Sequence, residues 1–159
     1  MMTRIRNVAL IWGVLCLGLA ALAFLHMLAS HLLIHDGAGE GFAACVLISG
    51  FVGGVLTLVG LGERAHLGFR GAVILTLGAW FGLPLLMAIP LHEDAVGLSI
   101  TDAIFETVSG LTTTGSTVIS NLDAQPPTLL VWRALLQWIG GIGIIGISIA
   151  VLPLLRSGG

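Results

Sequence analysis

The sequence predicts an all-α integral membrane protein in which two N-terminal transmembrane helices precede one repeat of helix, re-entrant loop and helix. Of its 159 residues, 57% are hydrophobic and only 9% are charged, whereas a soluble domain carries about 25% charged residues. Four apolar segments are each long enough to cross a bilayer, which requires about 20 residues. A short segment rich in threonine and glycine separates the last two. Together these observations indicate a membrane domain with one irregular segment.

The four predicted spans lie at residues 8–33, 42–61, 71–91 and 128–152. The first could be mistaken for a signal peptide, but its apolar run is too long and no clear small-residue cleavage site follows it. We therefore expect a retained first helix. A domain boundary is predicted after the second span, with a two-helix transmembrane hairpin at residues 1–63 and the repeat at residues 64–159.

The distribution of arginine predicts the orientation, because cytoplasmic loops of membrane proteins are enriched in basic residues. If all four segments cross, one side of the membrane carries Arg4, Arg6, Arg64, Arg70 and Arg156. The loops on the opposite side carry acidic residues instead, namely Asp36, Glu40, Glu93, Asp94 and Asp123. The N-terminus is therefore expected in the cytoplasm.

A half-length helix is predicted between the third and fourth spans. Ser99 or Thr101 can cap its N-terminus, and Asp102 lies in its first turn, where a carboxylate suits the positive end of the helix dipole. The helix is expected to run to about Ser109, with Gly110 as its C-terminal stop. Ten residues of helix extend about 15 Å, half the thickness of the hydrocarbon layer. Such a helix can enter the membrane from the outside but cannot cross it.

The hydroxyl-rich stretch after this helix is the predicted ion-binding site, formed by Thr112, Thr113, Thr114, Gly115 and Ser116. Irregular backbone at membrane depth is tolerated only where protein encloses it or water reaches it, and its carbonyls can hold a cation. Gly115 accepts the alternating backbone handedness that points successive carbonyls towards one axis. The alternative is an ordinary polar loop outside the membrane. The order of half-helix, threonine-rich strand and span favours the ion-binding interpretation.

The fourth span contains Arg133, a charge that is costly at membrane depth without a partner. We expect it to pair with Glu106 or Asp102 on the half-helix. The alternative is that Arg133 extends to the lipid head groups beside Trp132. Together with Gln137, these charged residues are predicted to support the pore rather than to bind the ion.

The remaining polar residues indicate no covalent chemistry. No P-loop, dinucleotide-binding or zinc motif is present, so the chain is not expected to be an enzyme, and it lacks a basic patch for nucleic acid. His26, His31 and His35 leave one alternative open, a non-transporting structural or redox subunit with a haem or metal. Histidines at interfaces or in pockets are far commoner than histidine ligands, so this alternative carries little weight.

Five motifs in order resemble the Trk/Ktr/HKT superfamily of potassium transporters, and the first two spans fit the extra N-terminal pair of its TrkH-type membrane subunits. The motifs are Gly68-Phe69-Arg70, Thr101-Asp102-Ala103-Ile104-Phe105-Glu106, Ser109-Gly110-Leu111-Thr112-Thr113-Thr114-Gly115-Ser116-Thr117-Val118, Trp132-Arg133-Ala134-Leu135-Leu136-Gln137-Trp138-Ile139-Gly140-Gly141 and Leu152-Pro153-Leu154-Leu155.

The resemblance implies potassium transport across the cytoplasmic (inner) membrane of a bacterium, through four helix–pore loop–helix repeats of a K⁺-channel-like fold. By this resemblance Thr113, Thr114 and Gly115 hold K⁺ in the selectivity filter, followed by Ser116 and Thr117, and a glycine at this position is typical of potassium-selective members. The resemblance further implies a homodimer in membrane lipid and a cytosolic nucleotide-binding regulatory subunit of the TrkA type. No cofactor is expected besides the transported K⁺.

The chain contains one such repeat, and a single filter strand cannot surround an ion. We therefore expect the remaining pore repeats to come from the same polypeptide or from other copies. The main expectation is an N-terminal fragment of a longer subunit. Four-fold self-assembly and a truncated, inactive chain are the alternatives.

Overall fold

The computed structural model describes residues 2–62, 69–93 and 97–156, and the side chains of residues 6–62, 70–93 and 97–146. Within these ranges the helices are α1 (Met2–Ala29), α2 (Gly39–Gly60), α3 (Phe69–Met87), α4 (Ile89–Glu93), α5 (Ile100–Leu111) and α6 (Pro127–Arg156). A π-helical turn, Ser30–Ile34, extends α1, and a 3₁₀ turn, Leu122–Ala124, precedes α6. Arg64, Gly68 and Asp94, which contributed to the orientation and motif predictions, lie outside the described residues.

Four helical segments are long and apolar enough to cross a membrane, as predicted, and they are Arg6–Ile34, Gly39–Gly60, Arg70–Glu93 and Pro127–Gly146. Large apolar side chains project from them without cover, including Phe51 and Phe81, each 74% exposed. Extensive apolar surface of this kind marks a membrane or protein contact rather than contact with water. The chain is therefore a multi-pass membrane protein.

The helices α1 and α2 form an antiparallel hairpin, the N-terminal hairpin, in which glycines let the two backbones touch. A Cβ atom placed on Gly53 would lie 2.8 Å from the backbone nitrogen of Leu17 and 2.9 Å from the carbonyl oxygen of Gly13. Real Cβ atoms essentially never lie this close to other heavy atoms. Small residues of this kind allow transmembrane helices to gain close van der Waals contact in lipid, where apolar burial drives association less.

The third span is interrupted near its C-terminal end, where α3 ends at Met87 and α4 begins at Ile89. The break leaves the carbonyl oxygen of Met87 free, and the indole nitrogen of Trp132 donates a hydrogen bond to it at 3.1 Å. Trp132 is fully buried. Because a buried polar group needs a partner, this bond satisfies the Met87 carbonyl oxygen and so allows the helix break to lie in the core.

An aromatic cluster joins the N-terminal hairpin to α6. The ring of His26 stacks on Phe42 with a centroid distance of 5.3 Å and meets the edge of Trp132 at 5.1 Å. Phe42 and Trp132 are themselves in T-shaped contact at 5.3 Å. Such geometries add to the stabilisation from buried area, so this cluster fixes how the hairpin sits on α6.

Helix α5 packs on α6 through two glycines. A Cβ atom on Gly140 would overlap the carbonyl oxygen of Leu111, and one on Gly110 would lie 3.0 Å from the Cβ atom of Leu136. The prediction that Gly110 ends the half-helix was therefore wrong. The helix continues to Leu111, and Gly110 instead makes room for α6.

Candidate functional site

Ser99, one of the two caps that the sequence allowed, caps helix α5, and the other, Thr101, lies within the helix. Ser99 Oγ accepts a hydrogen bond from the amide of Asp102 at 3.1 Å and donates one to Asp102 Oδ2 at 2.7 Å. A serine in this position satisfies one of the free amides at a helix N-terminus. The same bonds hold the Asp102 carboxylate at the start of α5, away from Arg133.

Residues 112–119 form the threonine segment, a stretch without regular secondary structure that follows α5. It turns at Thr113 and Gly115, whose φ angles are 56° and 76°. The amides of Thr113 and Thr114 donate back to the end of α5, to the carbonyl oxygens of Gly110 at 2.9 Å and Ser109 at 3.0 Å. A left-handed conformation is unusual for a β-branched residue such as threonine. The surrounding hydrogen bonds therefore impose it.

Four successive backbone carbonyls of the threonine segment accept no hydrogen bond from the described part of the chain, and they belong to Thr112, Thr113, Thr114 and Gly115. The next carbonyl, that of Ser116, accepts a bond from Ser109 Oγ at 2.6 Å. Residues 112–118 are all exposed in this chain. A row of four oxygen dipoles is thus available to a ligand just beyond the C-terminal, negative end of α5.

The threonine hydroxyls are used differently from the carbonyls. Thr112 Oγ1 donates to the carbonyl oxygen of Val108 at 2.8 Å and lies 2.8 Å from Thr114 Oγ1. Thr117 Oγ1 donates to Glu106 Oε1 at 2.5 Å. These hydroxyls shape the segment. Its carbonyls, apart from that of Ser116, accept no hydrogen bond from a described residue.

Glu106 is the polar centre of the site and is 1% exposed. One carboxylate oxygen, Oε1, accepts hydrogen bonds from Thr117 Oγ1 and from the amide of Val118, both at 2.5 Å. The other, Oε2, accepts from Arg133 through NH2 at 2.8 Å and Nε at 3.0 Å. A buried charge of this kind is tolerated when it is paired and its lone pairs are satisfied. Glu106 therefore ties α6 to the far end of the threonine segment.

The partner predicted for Arg133 is thus Glu106 and not Asp102. The side chain of Arg133 is 15% exposed, so it does not adopt the alternative arrangement in which it extends to lipid head groups. Gln137, predicted to support the pore, is exposed in this chain and makes no hydrogen bond with a described residue. The site comprises Glu106, Arg133 and the threonine segment.

Three hydrogen bonds of the site were not anticipated from the sequence: one from Ser109 to the Ser116 carbonyl, and those from Thr117 and Val118 to Glu106. A glutamate within an apolar helix does signal that partners exist. It does not identify them, because nearly every residue has a backbone amide like that of Val118. Only the fold determines which of these amides lies near the glutamate.

The histidines do not form a common site. His26 Nδ1 lies 2.9 Å from the carbonyl oxygen of Leu22, while His31, in the π-helical turn, lies against Gly39 at the start of α2. Across the described ranges, no three His, Cys, Asp or Glu side chains are grouped so that they could hold a metal ion. Nothing in this arrangement favours a haem or redox subunit.

Comparison with known proteins places these features in a family. The TrkH family, described as cation transport proteins, is matched over residues 46–159. The Trk system potassium uptake protein TrkH of Salmonella typhimurium is 38% identical over 129 residues, which cover 80% of this chain and 27% of that protein. The corresponding protein of Halomonas elongata is 40% identical over the same lengths and shares. The Trk system potassium uptake protein TrkI of Halomonas elongata is 44% identical over 86 residues, covering 54% of this chain and 18% of that protein.

The fold is similar to a solved structure as well. The crystal structure of the potassium transporter TrkH from Vibrio parahaemolyticus superposes with a TM-score of 0.84 at 37% identity, covering 97% of this chain and 33% of that one. The chain spans 27% of the length of the TrkH relatives that it matches. The family match covers well over half of the chain and includes α5, the threonine segment and α6. The chain belongs to the TrkH family of cation transport proteins.

Proposed function

We propose that this chain carries the first helix–pore loop–helix repeat of a bacterial potassium transporter, and that its threonine segment forms one wall of the selectivity filter. The observation that carries the proposal is the row of four carbonyls at Thr112, Thr113, Thr114 and Gly115, which accept no hydrogen bond from the described residues. Backbone carbonyls that replace the hydration shell of an ion are the basis of potassium filters. The names of the relatives, potassium uptake proteins, support this choice of ion.

The surroundings of the carbonyl row suit a cation. Helix α5 has 12 residues, or about 18 Å of length, and ends immediately before the row, so the negative end of its dipole adds to the attraction. The Glu106 carboxylate binds Thr117 and Val118, after the carbonyl row, and is already neutralised by Arg133 at 2.8 Å. The ion is therefore held by carbonyl dipoles and not by a side-chain carboxylate. A carboxylate would bind the ion too tightly for the ion to be released.

One segment can line only one side of a pore. The exposed face of the threonine segment therefore requires cover from the remaining pore repeats, in the same polypeptide or in other copies, because irregular backbone is not tolerated against lipid. In this arrangement residues 1–63 are the N-terminal pair of spans and residues 64–159 are the repeat. The arginine distribution supports a cytoplasmic N-terminus in the inner membrane. The resemblance to TrkH-type subunits supports a homodimer with a regulatory subunit of the TrkA type.

The proposal is tested by the ion preference of the complete transporter that contains this chain, expressed in bacteria lacking other potassium uptake. Gly115→Ser places a Cβ atom on a residue with a φ of 76° and is expected to lower the preference for K⁺ over Na⁺ by about tenfold, which corresponds to about 1.4 kcal/mol. Gly115→Arg is expected to abolish uptake. The measurement is K⁺ uptake with Na⁺ as competitor.

The matched control is Gly97→Ser. Gly97 also has a positive φ, 55°, with nothing within 4 Å of its Cβ position, so the backbone strain is comparable but the threonine segment is untouched. This variant should transport as the wild type does. Unchanged K⁺ preference in Gly115→Ser, together with normal uptake by Gly115→Arg, would refute a filter at this position.

A further inference from the structure

A single carboxylate links the N-terminal hairpin to α6. Asp36 lies in the loop between α1 and α2, and its Oδ2 atom accepts a hydrogen bond from the backbone amide of Thr128 at 2.9 Å, 92 residues further along the chain. Its Oδ1 atom accepts from Ser30 Oγ at 2.6 Å and from the amide of Ala38 at 3.3 Å. Both carboxylate oxygens are therefore engaged, one by the hairpin and one by α6.

The end of α1 is built to present this carboxylate. The last turn of α1 widens into the π-helical turn, and the amide of His35 closes it on the carbonyl oxygen of Ser30 at 2.7 Å. His35 then takes a left-handed conformation with a φ of 57°, so the chain turns and Asp36 follows. Ser30 and Thr128, the hydroxyl donor and the residue whose amide is bound, are each 1% exposed.

Helix α6 needs a cap from outside its own sequence. It begins at Pro127, which has no amide hydrogen, and the preceding residue is Pro126, whose side chain has no acceptor. The amide of Thr128 is therefore a free donor at a helix N-terminus, where an acceptor is normally supplied by the residue before the helix. Asp36 supplies that acceptor, and its negative charge faces the positive end of the helix dipole.

The charge of Asp36 is consistent with this role. Burial favours the neutral acid, but the hydrogen bonds from Ser30, Thr128 and Ala38 outweigh burial and lower the pKa of Asp36 to about 2. The group is therefore a carboxylate throughout the physiological range.

The position of α6 matters because the same helix carries Arg133, five residues after Thr128. Arg133 holds Glu106 Oε2, and Glu106 Oε1 holds Thr117 and the amide of Val118. We propose that Asp36 is a positioning residue for the threonine segment, through which the N-terminal hairpin sets the register of α6 and hence of the segment. The contact of His26 and Phe42 with Trp132 on the next turn of α6 supports the same docking. The expectation that Asp36 affects transport rests on the proposed function.

The test uses Asp36→Ala and Asp36→Asn in the complete transporter. Alanine removes both acceptors. Asparagine keeps one acceptor oxygen for the amide of Thr128, but its NH2 group cannot accept from the amide of Ala38 and it carries no negative charge. The measurements are the K⁺ over Na⁺ preference and the KM for K⁺, on equal amounts of membrane-inserted protein. Both should change by about three- to tenfold in Asp36→Ala, a size typical of coupling through a packed network. Asp36→Asn should change them less.

The matched control is Asp123→Asn. It removes one negative charge from the turn before α6, but the side chain of Asp123 is exposed and makes no hydrogen bond with a described residue. It should leave both parameters unchanged. If Asp36→Ala does not insert, Asp36→Asn and Ser30→Ala, which removes only the Ser30 hydroxyl bond, carry the same test with smaller effects.

Amide hydrogen exchange gives a second readout that does not depend on transport. The amide of Val118 is protected by Glu106, so a peptide containing it should exchange faster in Asp36→Asn than in the wild type or in Asp123→Asn. Unchanged exchange and unchanged ion preference in the Asp36 variants, with only a lower yield of folded protein, would overturn the inference. A wild-type protein that transports no K⁺ would instead overturn the proposed function, and exchange at Val118 would still decide the role of Asp36.

Discussion

The N-terminal hairpin and the region around the threonine segment differ in how their backbone polar groups are paired. In the hairpin, the backbone groups within the α-helices bond along each helix, and α1 and α2 can approach closely, which Gly13 and Gly53 permit. In the threonine segment the backbone leaves the helical pattern. There it is held by side chains, above all Glu106, which receives four hydrogen bonds from three residues.

The difference shows where polar groups are required in a membrane protein. Regular helices in lipid can associate through small residues alone, whereas irregular backbone must be enclosed and fixed by polar contacts. The buried pair of Glu106 and Arg133 therefore lies beside an irregular segment, whose conformation cannot be specified by hydrogen bonds within a helix. Changes in the two regions should have different consequences, which three substitutions can test.

A large effect is expected at Gly140, where the backbone of α6 touches the end of α5. A Cβ atom there would overlap the backbone carbonyl of Leu111, and a backbone cannot move aside as a side chain can. Gly140→Ala should destabilise the complete protein by about 3 kcal/mol or more, the upper range for overpacking, and should lower uptake. Thermal unfolding in detergent is the measurement. Gly143→Ala, with nothing within 4 Å of the Cβ position, is the control. Equal stability of the two variants would contradict the close contact of α5 with α6.

A large effect is also expected from the loss of Arg133. Arg133→Ala leaves Glu106, with a side chain that is 0% exposed, as an uncompensated buried charge, which costs about 3–5 kcal/mol. Adding Glu106→Gln should recover part of that loss, because the unpaired charge is removed. A double-mutant cycle on detergent unfolding measures the coupling. Arg70→Ala is the control, since Arg70 is exposed and forms no ion pair with a described residue. Strictly additive effects would show that the pair is not coupled.

A smaller effect, of a different kind, is expected in the hairpin. Gly53→Ala places a Cβ atom 2.8 Å from the backbone of Leu17, whereas Gly54→Ala meets nothing within 4 Å. Gly53→Ala should cost about 1–3 kcal/mol of stability and Gly54→Ala almost none. Neither should alter the K⁺ over Na⁺ preference, because the contacts of Gly53 are with Leu17 and Gly13 and include no residue of the threonine segment. If Gly53→Ala changed the K⁺ over Na⁺ preference while α6 remained packed on the N-terminal hairpin, the distinction between the two regions would be wrong.

Features with a local or compositional cause were predictable from the sequence. The four spans follow from runs of apolar residues, and the Ser99 cap follows from a serine placed three residues before Asp102. The need of Arg133 for a partner follows from the cost of a lone charge in lipid. The role of Gly110 was not predictable, because a glycine near a helix end can stop the helix or admit a neighbour, and only the position of Leu136 distinguishes the two.

Composition and short-range pattern thus determine by themselves that this chain is a membrane protein, where its helices run and that the threonine segment is irregular. Only the tertiary structure decides which groups complete one another across long separations. Examples are Asp36 with the amide of Thr128, the indole of Trp132 with the carbonyl of Met87, and Glu106 with the amide of Val118. The reason is that a backbone donor or acceptor is the same group in nearly every residue, so the sequence cannot indicate which one a side chain will reach until the helices are packed.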